Sequence, residues 1–496
     1  MENNYTRRDF MKSAGCLTAL ALAGCTNGVG LFANNRPAPN KPNILFIFTD
    51  DQRFDTIAAL GNKEIITPNM DELVLNGTSF TNAYIMGSMS GAVCMPSRAM
   101  LMTGRWLFHL EDKGRKIPLE HSMLPEVLQS CGYVTFGTGK WHNGRDSFAR
   151  SFTTGGNIFF GGMHGMKYGG HPTPKVYDFD PTGKYPTSKQ YTAKRFSSNL
   201  YSDAAVQFLA QRKGAQPFFM YISYTAPHDP RMAPKEFVDM YAAEKIQLPK
   251  NFMAEHPFDN GDLKIRDERL APWPRTPQVA REHIAAYYAM ITHLDAQIGR
   301  VLTALKETGR DKNTIIVFAG DNGLAVGQHG LMGKQNLYDH SVRVPLIFTG
   351  PGIGKNKKCD ALCYLNDIFP TLCDLTGQPI PDSVEGESLA RLIQGKKKKV
   401  RDSVFFAYKS FQRGVRTDRW KLIYYNVKGK KTTQLFDMKN DPWETTNLAD
   451  DPAQAGRIKE LTALMEDWFK KTGDKVKLQA DDWAVPEIAS WKPSKK

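Results

Sequence analysis

Five consecutive apolar residues, Ile44-Leu45-Phe46-Ile47-Phe48, run without polar alternation and end in Thr49-Asp50-Asp51. A strand with one face in water alternates apolar and polar residues, so an unbroken run predicts a strand covered on both faces, as in a parallel sheet. Similar runs recur at residues 133–137, 218–225, 314–319 and 344–349, the last two close enough in sequence to be neighbouring strands. Helical stretches at 201–211, 281–308 and 366–376 lie among them. Strands alternating with helices predict an α/β layer fold, with functional loops at the carboxyl ends of the strands.

The pattern changes near Gly395 and the run Lys396-Lys397-Lys398-Lys399, which reads as a solvated surface loop. Hairpin-like segments follow at 403–408, 414–417, 420–426 and 434–437, with Asp418-Arg419 as a two-residue turn. Asp441-Pro442-Trp443-Glu444 starts a further turn, and 455–471 carries helical apolar spacing at Ile458, Leu461, Leu464, Met465 and Trp468. The expectation is a smaller C-terminal antiparallel sheet with one packing helix. The domain organisation predicted is a signal at 1–24, a linker at 25–41, a catalytic α/β domain at 42–395 and a C-terminal subdomain at 396–496.

The signal rests on adjacent arginines, Arg7-Arg8, followed by Phe10 and Lys12, then an apolar stretch from Cys16 to Ala23 that is too short to span a bilayer. It resembles a Tat signal, and Leu22-Ala23-Gly24-Cys25 resembles a lipoprotein box that would leave a lipid on Cys25. The chain is thus expected to be exported, as a periplasmic or outer-membrane-anchored lipoprotein of a bacterium, touching the membrane by its lipid alone. Lys and Arg number 65 against 51 Asp and Glu, a formal charge of +14. Removing 1–24 still leaves +13, so the basic balance belongs to the folded body and favours anionic partners. Export argues against nucleic acid as that partner.

Asp50 and Asp51 sit where the first buried strand runs out, and Asp321-Asn322 follows another apolar run in the same way. Adjacent carboxylates repel unless a cation compensates them. Either pair alone is more often a turn or a helix cap. Two pairs at matching strand ends favour one shared ion, and an all-oxygen donor set favours Ca²⁺, with Mg²⁺ as the alternative, over Zn²⁺. The sharpest string is Cys94-Met95-Pro96-Ser97-Arg98-Ala99-Met100-Leu101-Met102-Thr103-Gly104-Arg105. Pro96 suits the first turn of a helix, which puts Cys94 at a helix N-terminus where negative charge is stabilised, with Arg98 one turn on.

That string is similar to the C-x-P-x-R…L-x-T-G-R element of the type I, formylglycine-dependent sulfatases of the alkaline phosphatase superfamily. Asn43–Gln52, Gly139-Lys140-Trp141-His142, Ala226-Pro227-His228, Gly320-Asp321-Asn322-Gly323 and Gly333-Lys334 fall in the family's order, over Pro42 to about Leu448. The resemblance implies a large mixed, mostly parallel sheet sandwiched by helices, with the small C-terminal sheet beside it. It implies that a sulfatase-maturating (formylglycine-generating) enzyme converts Cys94 to 3-oxoalanine, whose hydrate attacks sulfur. Asp50, Asp51, Asp321 and Asn322 would then hold Ca²⁺ next to residue 94. Arg98 and Lys140 match cations near the sulfate, His142 the base that releases sulfate from residue 94, and His228 and Lys334 donors at the bridging oxygen. His329 and His340 are expected to be structural.

Three functions follow from these residues: an exported sulfatase acting on sulfated glycan fragments, a formylglycine-dependent phosphodiesterase or phosphonate monoester hydrolase, and an inactive glycan-binding lipoprotein. The inactive reading requires a broken site residue, and none is broken. A two-zinc phosphatase of this superfamily places a histidine where this chain has Asn322. Sulfated galactose and N-acetylglucosamine are the candidate sugars. The segments 159–185 and 231–275, rich in Gly, Pro, His and aromatics, are candidate walls of the sugar pocket, with His171 and Arg231 as candidate sugar contacts.

Overall fold

The structure, a computed structural model, describes residues 41–483. The expected signal, Cys25 and all of the linker but Lys41 lie outside the described residues. No helix among the described residues is long and apolar enough to cross a membrane.

The central sheet has eight strands: β1 Asn43–Thr49, β2 Gly77–Phe80, β3 Val134–Lys140, β4 Thr154–Phe159, β5 Phe218–Ser223, β6 Thr314–Gly320, β7 Leu346–Thr349 and β8 Lys357–Cys359. Their order is β8-β2-β7-β6-β1-β5-β3-β4. Only β7 runs against the rest, so the sheet is mixed and mostly parallel, as expected. All seven residues of β1 are buried. Ile44, Phe46 and Phe48 enter a core with Leu101 and Tyr221, whereas Leu45 and Ile47 enter the opposite core with Tyr287, Leu294 and Ile298. Cover on both faces is the physical reason that this strand carries no polar alternation.

Three helices frame the sheet where the chemistry lies: α1 Cys94–Thr103, α2 Ser197–Gln211 and α3 Pro277–Glu307. Parallel pairing of β1 with β6 sets Thr49 opposite Gly320, so the residues that leave the two strands, Asp50 and Asp321, emerge side by side. The run at 344–349 does not form one strand. Pro345 interrupts it, because proline has no N–H to give a ladder. Arg343–Val344 instead joins a small sheet with Ala83–Tyr84 and Cys363–Tyr364, and β7 begins after the proline. The run at 133–137 extends to Lys140, which brings that lysine to the strand's carboxyl end.

The C-terminal sheet consists of β9 Val404–Tyr408, β10 Gln412–Arg416, β11 Trp420–Val427 and β12 Lys430–Asp437, packed under α4 Ala455–Thr472. The Asp418-Arg419 turn is present, closed by Thr417 N–H donating to Trp420 O at 2.9 Å. One strand of this sheet comes from elsewhere: Gly87–Ser88 pairs parallel with Ala407–Tyr408. The sheet is therefore stitched to the segment that leads into α1, across the boundary expected near residue 396.

Phe46 is fully buried and packs edge-on against Tyr221 with ring centroids 5.6 Å apart. Phe46→Ala is expected to lower unfolding free energy by about 3–5 kcal/mol, through lost transfer energy plus a cavity. Chemical denaturation monitored by tryptophan fluorescence reads the shift in midpoint.

Candidate active site

Chain segments far apart in sequence meet at the carboxyl edge of the sheet. Asp50, Asp51, Asp321 and Asn322 are at most 2% exposed. Successive residues of an extended strand point to opposite sides. Asp51 escapes that alternation by adopting φ of 63°, a left-handed conformation that costs a non-glycine residue on the order of 1–2 kcal/mol. Its amide donates to Asp321 Oδ1 at 3.0 Å, and its carbonyl accepts from the Tyr287 hydroxyl at 2.6 Å. Both carboxylates of the pair thereby reach the same cluster. Donor atoms of Asp50, Cys94 and Asp321 lie within 4.8 Å of one another, as do those of Asp50, Asp51 and His228.

Three cations surround the acids. Lys140 Nζ donates to Asp50 Oδ2 at 2.6 Å, and Lys334 Nζ to Asp51 Oδ1 at 2.5 Å. Arg98 Nε donates to Asp321 Oδ2 at 2.9 Å, while its Nη1 reaches Lys140 O at 3.0 Å and the Ser223 hydroxyl at 2.5 Å. The arginine sits 5.0 Å from the centroid of the Phe48 ring. Burial tends to raise the Asp50 carboxyl, but Lys140, His228 and Arg98 outweigh it and hold the group below its ordinary value. Asp321 goes the other way, raised by burial and by the charge of Asp50. Even so, two buried oxygens, Asp50 Oδ1 and Asn322 Oδ1, accept no hydrogen bond. Orphaned oxygens amid mutually repelling carboxylates fit a hard divalent cation, because oxygen ligation satisfies both defects at once. Asp50, Asp51, Asp321 and Asn322 are the residues that could hold it. His228 Nε2 also lies 3.6 Å from Asp51 Oδ2, a proximity the all-oxygen donor set did not anticipate.

Cys94 opens α1, as Pro96 implied, and is 2% exposed. Its Sγ lies 3.4 Å from both Lys140 Nζ and His142 Nδ1. Burial pushes its thiol up, against the pull of Lys140 and Lys334, so the sulfur stays protonated. His142, at φ of 74°, is also left-handed, and burial together with Lys140 and Arg98 keeps its imidazole neutral well below the ordinary histidine range. Gly139 makes the approach to this site possible: at φ of 84°, a Cβ there would stand 1.9 Å from Ser223 O. The ladder slips between Thr138 and Gly139, and Lys140 leaves the strand toward Asp50.

The two candidate sugar contacts fare differently. His171 is 2% exposed and both ring nitrogens are engaged: Nε2 donates to His228 O at 2.9 Å, so Nδ1 accepts from the Ser197 hydroxyl at 2.8 Å. Burial takes its pKa down to about 4. That corrects the expectation of a sugar contact, since no nitrogen is left for one; the ring braces the backbone of His228. Arg231 is half-buried and donates to His283 Nδ1 at 2.7 Å, with Asp229, Tyr287 and Asp51 as its electrostatic neighbours. His329 stacks on Tyr338 with centroids 3.8 Å apart and bonds Glu444 O, a structural placement. Residues missed from sequence include Ser97, whose hydroxyl donates to Asp321 O at 2.5 Å, and Asp229, which follows His228 directly. Position 97 lies inside the Cys94 string, and adjacency to a histidine was the one signal for Asp229.

A divalent cation held by the orphaned oxygens, at about a hundred times its dissociation constant, is expected to stabilise the fold by about 2.7 kcal/mol. Asn322→Ala removes one candidate ligand and is expected to shrink that gain measurably. Differential scanning calorimetry with and without Ca²⁺ checks it; an equal gain in the variant would place the ion elsewhere.

The family model described as Sulfatase matches residues 42–378, and one described as N-sulphoglucosamine sulphohydrolase, C-terminal, matches residues 327–471. A protein named sulfatase from Formosa agariphila is 31% identical over 462 residues, covering 86% of each chain. An N-acetylglucosamine-6-O-sulfatase from Bacteroides thetaiotaomicron is 27% identical, covering 92% of this chain and 90% of its own. A solved structure in complex with its substrate, D-glucosamine-2-N,6-O-disulfate, superposes with a TM-score of 0.74 at 25% identity, over 88% of this chain and 99% of that one. A phosphonate monoester hydrolase from Agrobacterium radiobacter, at 22% identity and a TM-score of 0.70 over 87% of this chain and 96% of its own, shares the fold. With a sulfatase model over most of its length and a cation-ready acid cluster facing Cys94, the chain belongs to the sulfatase family of the alkaline phosphatase superfamily and is a sulfuric ester hydrolase.

Proposed function

We propose that the protein removes sulfate from sulfated carbohydrates, using a formylglycine made from Cys94 by a maturation enzyme and Ca²⁺ held by Asp50, Asp51, Asp321 and Asn322. One observation carries this reading: Cys94 Sγ sits 3.4 Å from a lysine and from a neutral imidazole, beside the acid cluster. A buried, protonated thiol is a poor nucleophile. Formylglycine, as its hydrate, would supply the oxygen that attacks sulfur. Ca²⁺ would bind sulfate oxygen and offset charge that builds as the S–O bond breaks.

The chain's own residues do the rest. Lys140 Nζ bridges Asp50 and residue 94 and donates to the attacking group. His142 Nδ1 faces residue 94 and, being neutral, accepts its proton when sulfate leaves. His228 Nε2 and Lys334 Nζ lie on the Asp51 side and supply the proton that the departing alcohol needs. Arg98 is anchored to Asp321, Lys140 O and Ser223, so it orients the acids and adds positive charge to the floor. A relative named N-acetylglucosamine-6-O-sulfatase and a similar structure bound to its substrate D-glucosamine-2-N,6-O-disulfate support sulfated amino sugars as the substrate class. The basic body suits such polyanionic fragments. Export with a lipid on Cys25 belongs to the same reading.

Cys94→Ala is expected to cut sulfate release from position-defined sulfated sugars by on the order of 10⁴-fold or more, as loss of a covalent nucleophile does elsewhere. Ion chromatography of free sulfate reads turnover, and mass spectrometry of the residue-94 peptide reads conversion of thiol to aldehyde. Release of phosphate but not sulfate from matched esters would overturn the reading. For the anchor, labelled palmitate is expected to enter the protein in cells and to be lost in Cys25→Ala.

A further inference from the structure

The two leaving-group donors do not stand alone. His228 Nδ1 lies 2.8 Å from Asp229 O and 3.3 Å from Asp229 Oδ1, which leaves Nε2 as the nitrogen on the Asp51 side. The ring's aim therefore depends on where Asp229 is held. Asp229 is 4% exposed and is gripped by the fork of Arg266, Nη1 on Oδ2 and Nη2 on Oδ1 at 2.9 Å. The same guanidinium grips Asp267, with Nε on Oδ1 at 2.9 Å and Nη2 on Oδ1 at 2.6 Å. Asp267 Oδ2 accepts from Gln335 Nε2 at 2.7 Å, and Gln335 Oε1 accepts the backbone N–H of Lys334 at 3.0 Å. One guanidinium thus links the imidazole of one donor to the backbone of the other.

The contact between these segments is close. Glu268, paired with Arg275 at 2.9 Å, accepts the N–H groups of Met332 and Gly333 at 2.9 Å each. A Cβ on Gly333 would lie 2.9 Å from Asp267 Cβ, so the loop that carries Lys334 is pressed against the loop that carries Arg266. Arg266 itself is 40% exposed, which makes core packing a small part of what it does. Its planar fork, which a lysine cannot reproduce, is what the geometry uses.

We propose that Arg266 is a positioning residue for departure of the alcohol: through Asp229 it aims His228, through Asp267 and Gln335 it fixes the Lys334 backbone, and so it holds both donors toward the bridging oxygen. This rests on the reading that His228 and Lys334 serve the leaving group. When the S–O bond breaks, its electron pair stays on the departing oxygen, which takes one proton from a donor. A sugar alkoxide needs that proton badly and a nitrophenolate hardly at all. Misplacement of about 1 Å can cost 10²-fold where the proton matters.

The test measures kcat and KM for the matured wild type, Arg266→Ala and Arg266→Lys on aryl sulfates with phenols of graded acidity and on a sulfated sugar. Arg266→Ala is expected to lose about 100-fold in kcat on the sugar and the least acidic phenols, in line with lost general-acid catalysis. Its loss on 4-nitrophenyl sulfate should be only severalfold, so the dependence on leaving-group acidity steepens; Arg266→Lys, which keeps the charge but not the fork, is expected to lose nearly as much as Arg266→Ala. The same fractional loss across the whole series would overturn the proposal and make Arg266 merely structural. Loss of the Ca²⁺-induced thermal shift in Arg266→Ala would also overturn it, by routing the effect through the metal. A wild type inert on every sulfate ester would bring down the proposed function, and this inference with it.

Discussion

Mutual repulsion among buried carboxylates governs this molecule. Asp50, Asp51 and Asp321 are taken out of water at the ends of two paired parallel strands, where isolated charges would be prohibitively costly. Lys140, Lys334 and Arg98 make the cluster tolerable, and two oxygens still accept no hydrogen bond. The arrangement is a poor source of stability, since desolvating paired charges offsets most of their attraction. It is a good receptacle for a cation and for a group that carries negative charge beside it. Under the proposed function the same three cations also serve the chemistry, so compensation and catalysis would use the same atoms.

Strained backbone accompanies that concentration of charge. Asp51 and His142 both adopt left-handed φ values, and Gly139 occupies a position no side chain could enter. Asp51 and His142 place their own side chains in the cluster, and Gly139 lets the adjacent Lys140 reach it. Such strain persists because the surrounding sheet over-determines it: β1, β3 and β5 are buried and paired through most of their length. The C-terminal sheet contributes to the same rigidity, since Gly87–Ser88 enters it a few residues before Cys94.

Much of the site was legible in the chain because its residues sit at fixed offsets from local signals. Asp50-Asp51 and Asp321-Asn322 each follow an apolar run, and Cys94 and Arg98 belong to one helical string. Elsewhere the reading failed for reasons of packing. His171 lies in a Gly- and aromatic-rich stretch that suggested a sugar wall, yet its ring is spent on Ser197 and the His228 carbonyl. Pro345 divided an apolar run that periodicity alone treated as one strand. The Arg266–Asp229–Asp267 linkage gave no signal at all, because a charged pair 37 residues apart has no period to detect.

The amino-acid order by itself determined the alternation of buried strands and helices, the acids at strand ends and the cysteine at a helix start. Those features follow from side-chain periodicity and from proline's fixed φ, which act over a few residues. Tertiary structure alone decided which oxygens would accept no hydrogen bond, which histidine would brace and which would face the acids, and that one half-exposed arginine would tie the His228 and Lys334 segments together. Such outcomes depend on distances between segments that only the register of the sheet and the packing of loops across its edge can set.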